Sequence, residues 1–492
     1  MSKLNFEYVP LTFISDKEEI KKQIRNTIIL IYLFEKYNSP TRLEKLIEGT
    51  QYGYNASALQ SGNNKFLRIS DIHESKVNWE TVPFCNCDDA KTYLLKNEDI
   101  LIARTGGTTG KSFKIDNPPK DSIYAGYLIR IRAKATVNPD YLYLFLHSFA
   151  YWSQIVNLNE RNFRPKANAE NLRSLILPDC TKAIQDEAVL ISQGQKIRGY
   201  EDLNAEIETA LSEYDKAQKV QDLLSDQHTQ LENLNQSILQ EAVQGKLVKQ
   251  NPKDEPASEL LKRIKSNKLK SGKKEKPLPP IKAAEISFEI PKNWVWCRLG
   301  DICSKIGSGS TPKGSNYSKS GFPFFRSQNI YNEGIVYTDI TFVSEEVQKQ
   351  MNGTAVYSND ILLNITGGSL GRCSLVPNDF EQGNVSQHVC IIRPLEVDRN
   401  FFHKLVLSPY FQKFVFSSTT GAGRVGLPKY NLERFVIPLP PLSEQIRIVA
   451  EIEKQLAKTK ELKEHIITNQ HDTEQLLKAL LHEAFEVEEK NR

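Results

Sequence analysis

The feature that most constrains this chain is that it is written twice. Asn97-Glu-Asp-Ile-Leu-Ile-Ala-Arg-Thr-Gly-Gly-Thr-Thr-Gly-Lys111 matches Ser358-Asn-Asp-Ile-Leu-Leu-Asn-Ile-Thr-Gly-Gly-Ser-Leu-Gly-Arg372. Upstream, Phe66-Leu-Arg-Ile-Ser-Asp-Ile72 matches Phe324-Phe-Arg-Ser-Gln-Asn-Ile330. Downstream, Glu170-Asn-Leu-Arg-Ser-Leu-Ile-Leu-Pro178 matches Tyr430-Asn-Leu-Glu-Arg-Phe-Val-Ile-Pro438. The blocks keep one order in both halves, which marks a domain duplication rather than a short repeat array. Each copy mixes β-rich pieces with short helical ones, so two mixed α/β domains of about 150 residues are expected.

Each copy runs on into a helical segment. Residues 181–251 lack proline, and Leu203, Ala210, Ala217, Leu224, Leu231 and Ile238 recur at every seventh position. Ile207, Tyr214, Val220 and Leu234 fill the alternate seam, which is coiled-coil periodicity. A helix over 201–245 would be about 65 Å long. After Pro441, Ser443 and Glu444 signal a second helix start. Val449, Ile452, Leu456, Leu462, Ile466, Leu476 and Leu480 mark its apolar face, with Asn469 and Thr473 interrupting. The two helix tails also match, so an antiparallel pair is the simplest packing. Between the copies, residues 251–290 hold a short helical piece, then lysines and prolines, and read as an exposed linker.

Composition narrows the class. Hydrophobic residues make up 39% and charged ones 25% of 492 residues, the balance of a globular chain. No apolar run approaches the ~20 residues of a membrane span, and the apolar stretch at 28–34 is too short for one. No small-residue cleavage site follows it, so no signal peptide is expected. The seven cysteines fit neither a disulfide framework nor a zinc site, and reduced thiols in the cytosol are expected. A net charge of +4 permits nucleic-acid binding without requiring it.

Two motifs imitate catalytic chemistry. Thr105-Gly-Gly-Thr-Thr-Gly-Lys-Ser112 approaches a phosphate-binding loop, but Thr105 stands where the first glycine belongs. The duplicate, Gly371-Arg-Cys373, has neither the lysine nor the magnesium-binding hydroxyl. Asn117-Pro-Pro-Lys120 lacks the aromatic residue an amino-methyltransferase would stack on a flipped base. Both read better as turns, and a stand-alone NTPase or methyltransferase is disfavoured.

Loops rich in cations, amides, hydroxyls and glycine occur at corresponding places in both copies. Such side chains suit guanine and adenine edges and phosphates. In the first copy the DNA-contact candidates are Tyr52, Asn55, Arg68, Arg104, Thr108, Lys111, Arg161, Arg164 and Lys166. In the second they are Ser310, Lys313, Arg326, Gln328, Ser369, Arg372, Gln387, His388, Arg424 and Lys429. For Arg68 and Arg326 a structural ion pair is the competing reading. A coiled-coil scaffold binding protein or glycan is the alternative for the whole chain, and salt-sensitive duplex binding separates the two.

The boundary segments are the most specific signal. Gln236-Ser-Ile-Leu-Gln-Glu-Ala-Val-Gln-Gly-Lys-Leu-Val248 and Asn251-Pro-Lys-Asp-Glu-Pro-Ala-Ser-Glu-Leu-Leu261 resemble the central region of type I restriction-modification specificity subunits. Phe288-Glu-Ile-Pro-Lys-Asn-Trp-Val-Trp-Cys-Arg-Leu-Gly-Asp-Ile302 resembles the opening of their second target-recognition domain, and Val436-Ile-Pro-Leu-Pro-Pro-Leu-Ser-Glu-Gln-Ile446 its close. The first copy departs: Thr41-Arg-Leu-Glu-Lys-Leu46 only echoes the tryptophan-rich opening, and Leu177-Pro-Asp-Cys-Thr181 lacks the closing run.

The resemblance implies two pseudo-repeated α/β target-recognition domains separated by two long antiparallel coiled-coil helices. The expected plan is an N-terminal arm (1–38), a first recognition domain (39–180), a central helix (181–250), a linker (251–290), a second recognition domain (291–441) and a distal helix (442–492). It further implies that each domain reads half of a bipartite DNA site and that the chain has no catalytic site, metal or cofactor of its own. Two modification subunits would carry the adenine methyltransferase site and S-adenosylmethionine. Restriction subunits would translocate and cut with ATP and Mg2+, all in the cytoplasm. Leu231, Leu234, Ile238, Leu476 and Leu480 are the candidates for docking the modification subunits, with packing inside the coil as the competing explanation.

Overall fold

The computed structural model describes residues 17–73, 76–157, 167–270, 277–419 and 426–483, with side chains as far as Leu476. It divides into two compact units. One is Met1–Leu224 with Asn469–Arg492, the other Ser225–Thr468.

In the first unit the strands Ile47–Tyr52, Leu128–Ala133, Ile100–Ala103 and Ser112–Lys114 lie side by side in that order, all antiparallel. The second unit repeats the arrangement with Cys303–Ser308, Val389–Pro394, Ile361–Asn364 and Cys373–Leu375. Ile100, Leu101, Ile102 and Ala103 are all buried, as are Ile361, Leu362, Leu363 and Asn364. An unbroken apolar run fits a strand covered on both faces. A smaller sheet in each unit contains one parallel pairing, Phe66 with Ile123 and Phe325 with Val385. The opening and closing segments of each copy also pair, Thr41 with Leu177 and Cys297 with Ile437. The weak opening of the first copy therefore takes the same place in its unit as the tryptophan-rich opening does in the other.

Each sheet carries one buried ion pair at an equivalent site. Arg132 grips Asp99 at 2.6 and 2.8 Å, and Arg393 grips Asp360 at 2.6 and 2.7 Å. Both carboxylates are fully buried, and each also accepts a backbone N–H, from Lys96 and Tyr357. Two strong acceptors satisfied this completely are tolerable in a core.

The structure redraws three expected boundaries. Residues 17–37 are no arm. The helix Lys17–Tyr37 buries Ile24, Ile28, Ile29, Leu30 and Leu33 in the core of the first unit. The central helix is interrupted: Lys182–Ser192 ends, residues 193–200 turn through Gly194 and Gly199 at positive φ, and the long helix runs over Glu201–Val243. Ser192 is bonded to the N-terminal helix by Asn26 and Arg25, which ties the two elements together. The linker is half core, because the helix Ala257–Lys270 buries Ala257, Leu260 and Ile264 on one face.

Within the second unit the long helices run antiparallel. Asn235 meets Thr459 at 2.7 Å, and Glu232 pairs with Lys463. Ile238, Leu239 and Ala242 pack with Ile448, Val449 and Ile452 against Trp294. In the helix Leu442–Glu483 the buried seam is Gln445, Ile452, Thr459, Ile466 and Thr473, a heptad with three polar members. Leu462 and Leu476, expected on the apolar face, are exposed. The boundary motifs gather here. Gln250 donates to Glu444 at 2.6 Å, Arg447 pairs with Asp254 at 2.6 Å, and Gly245 lies against Pro291 and Trp294.

Candidate nucleic-acid interface

The two Gly-Gly segments form the same turn. In the first unit, strand Ile100–Ala103 ends at Arg104, Gly106–Thr108 make one tight helical turn, and strand Ser112–Lys114 returns. In the second, Gly367–Ser369 make the turn between Ile361–Asn364 and Cys373–Leu375. Gly106 and Gly367 have φ of 82° and 74°, and Gly110 and Gly371 have 87° and 85°, a region L side chains avoid. A strand, not a helix, follows the turn, so no helix N-terminus is available to hold a phosphate as the phosphate-loop reading requires.

The surroundings are duplicated too. Arg104 N–H bonds Tyr127 O at 3.0 Å, and Ile365 N–H bonds His388 O at 3.0 Å. Ala167 N–H reaches Arg104 O at 3.2 Å, and Leu427 N–H reaches Ile365 O at 2.9 Å. Gly53 N–H bonds Leu128 O and Gly309 N–H bonds Val389 O. Each unit thus joins the end of its first sheet strand, the glycine turn and the 126–127 or 387–388 corner into one face.

On the first face the structure brings together Tyr52, Asn55, Arg104, Thr108 and Lys111. The Arg104 guanidinium lies over the Tyr52 ring at 4.8 Å, and Ala169 N–H donates to the Tyr52 hydroxyl at 3.0 Å. On the second face it brings together Ser310, Ser369, Arg372, Gln387 and His388. Thr366 Oγ1 and His388 Nδ1 are 2.8 Å apart, and Arg372 lies over the Tyr331 ring at 4.9 Å. Tyr127, 67% exposed at the corner of the first face, and Tyr331 escaped the sequence reading. Nothing in their local sequence marks them; alignment of the two copies would have placed Tyr127 opposite His388.

The other candidates stand apart. Arg68 and Arg326 sit at equivalent turns, and their backbone N–H groups donate to Asp71 and Asn329. Arg68 also spends its fork on Asp71, at 3.1 and 2.7 Å, which raises its pKa. Arg326 donates to Asp339 O at 3.0 Å. Gln328 and Lys313 are exposed on short turns, and Lys429 pairs with Glu433 along its own helix. Arg161, Arg164, Lys166 and Arg424 lie outside the described residues. Among the docking candidates, Ile238 is buried within the coil and Leu231 is half-buried, whereas Leu234 and Leu476 are 47% and 53% exposed. The side chain of Leu480 lies outside the described set. No helix among the described residues is long and apolar enough to cross a membrane.

The two sheet-rich units thus each present one polar glycine-turn face on the same backbone scaffold. Residues 291–469 match the family described as the type I restriction modification DNA specificity domain. The Escherichia coli type I restriction enzyme EcoAI specificity subunit is 32% identical over 49% of this chain and 42% of its own length. The Escherichia coli EcoEI specificity subunit is 30% identical over 47% of this chain and 41% of its own length. The chain thus spans less than half the length of these relatives. A solved structure, described as the structural basis of complex assembly and conformational transition of the type I R-M system, aligns with 91% of this chain and 97% of its own. Its TM-score is 0.53 at 17% identity, a likeness of fold.

Proposed function

We propose that this chain is the non-catalytic DNA-specificity subunit of a type I restriction-modification complex. Each lobe reads one half of a bipartite, asymmetric site, and the helix pair sets the gap between the halves. Two modification subunits methylate adenine with S-adenosylmethionine, restriction subunits translocate and cut with ATP and Mg2+, and the complex works in the cytoplasm.

The observation that carries this reading is the duplicated face. One backbone scaffold, with matching φ angles at four glycines, presents different side chains in each lobe. That is what two readers of unlike half-sites need: a common platform with local variation in hydrogen-bonding groups. The coil suits a spacer because the Asn235–Thr459 layer penalises a slipped register. Exposed Leu234 and Leu476 offer apolar footing for a partner.

The test exchanges residues 39–180 for those of another family member and maps the methylated adenines. One half of the site should change and the other persist. Change in both halves, or in neither, defeats the modular reading.

A further inference from the structure

We propose that Arg104 and Arg372 are the guanine readers of the two lobes, each placed over a tyrosine ring that restrains it. The proposal rests on the DNA-specificity reading and deepens it to a base class.

Arg68, Arg132 and Arg393 have committed their forks to carboxylates, and Arg326 donates to a backbone carbonyl. Among the described residues Arg104 makes one long side-chain bond, 3.4 Å to Gly126 O. Among the described residues nothing hydrogen-bonds or ion-pairs with the Arg372 guanidinium, which lies over the Tyr331 ring. An arginine has five N–H donors, so both retain the two parallel donors that guanine O6 and N7 accept.

Both are also pre-ordered. The Arg104 backbone is pinned through Tyr127 O and Ala167 N, and the Arg372 backbone through Ser369 O and Asn364 N. The Tyr52 and Tyr331 rings, 4.8 and 4.9 Å from the guanidinium carbons, restrain where each guanidinium sits. A phosphate contact needs only charge, which a lysine supplies; a planar fork restrained by a ring suits bidentate recognition of a flat edge. Pre-ordering also lowers the entropy cost of contact.

The two positions are not equivalent. The counterpart of Arg104 is Ile365, and that of Arg372 is Lys111. Each guanine is therefore approached from a different end of the glycine turn, as expected of unlike halves.

The test uses the full chain with its cognate modification subunit and duplexes carrying the site mapped from methylated adenines. Each guanine is replaced in turn by 7-deazaguanine, which removes N7. In the unaltered complex one guanine per half should carry a penalty of roughly 5- to 150-fold in Kd. Arg104→Ala should abolish the penalty in one half only, and Arg372→Ala in the other. Arg104→Lys and Arg372→Lys, which keep charge and stem, should do the same. Tyr52→Ala should reduce the first penalty, while Tyr52→Phe, which keeps the stack, should preserve it. The proposal is overturned if a half contains no G·C pair or if the penalties survive in the arginine variants. It is equally overturned if those variants weaken all duplexes alike with a shallower salt slope, the mark of a phosphate contact. An unaltered complex that ignores the mapped duplex would instead refute the DNA-specificity reading beneath it.

Discussion

Gly106 and Gly110 belong to the same turn and have nearly the same φ, 82° and 87°, yet alanine should affect them very differently. An L residue in this region costs about 1–2 kcal/mol, and stiffening the unfolded chain returns about 0.4–1. A Cβ on Gly106 meets nothing within 4 Å, so Gly106→Ala should cost only about 1 kcal/mol. A Cβ on Gly110 would stand 2.8 Å from Trp152 Cζ3 and 3.2 Å from its Cη2. Trp152 is buried, and the neighbouring Tyr151 hydroxyl donates to Gly110 O at 2.7 Å, so neither ring has room to retreat. Overpacking of this kind adds about 1–3 kcal/mol. At about 2–4 °C per kcal/mol for a unit of this size, Gly110→Ala should melt about 2–12 °C below Gly106→Ala. Differential scanning of the two variants measures this directly. Equal shifts would mean that the helix Phe149–Asn157 does not back the turn, and the proposed DNA-reading face would lose its support.

Three further outcomes follow from the same packing. Arg393→Leu strips the buried Asp360 of its partner and should cost about 3–5 kcal/mol, while Arg393→Leu with Asp360→Leu should recover much of it, both read by urea unfolding. Burial, with Lys22 nearby, holds His147 at a pKa of about 3, below its ordinary 6.5. Its folded form resists a proton that the unfolded chain accepts, so stability is complete above about pH 6.5 and falls as the pH descends towards 3. His147→Gln should flatten that slope in the melting temperature. Thr459→Val removes the hydroxyl that meets Asn235 in the coil seam and should cost about 1 kcal/mol; an unchanged melting temperature would remove that layer from the account.

The duplication was legible because each repeated block became the same piece of sheet or turn. The long helix was legible too, expected over 201–245 and found over Glu201–Val243, since heptads and charge need no tertiary information. What escaped depends on distant partners. The N-terminal helix looked detached because its burying surface, such as Leu144, Phe149 and Ile191, lies more than a hundred residues away. The spacing of Ala257, Leu260 and Ile264 was present, but flanking lysines and prolines suggested a tether. The coil seam does not show as apolar periodicity, because Gln445, Thr459 and Thr473 alternate with isoleucines. Likewise, no local pattern announces that Tyr52 lies beneath Arg104, or Tyr331 beneath Arg372.

The proposed function requires that the coil set the gap between two half-sites. The most direct measurement is the methylated motif of a chain lengthened by one heptad in each long helix, near Ser225 and Thr468. Seven residues add about 10 Å at 1.5 Å each, or about three base pairs at 3.4 Å. The account predicts the same two half-sequences separated by a longer gap. An unchanged gap, or altered half-sequences, would contradict it.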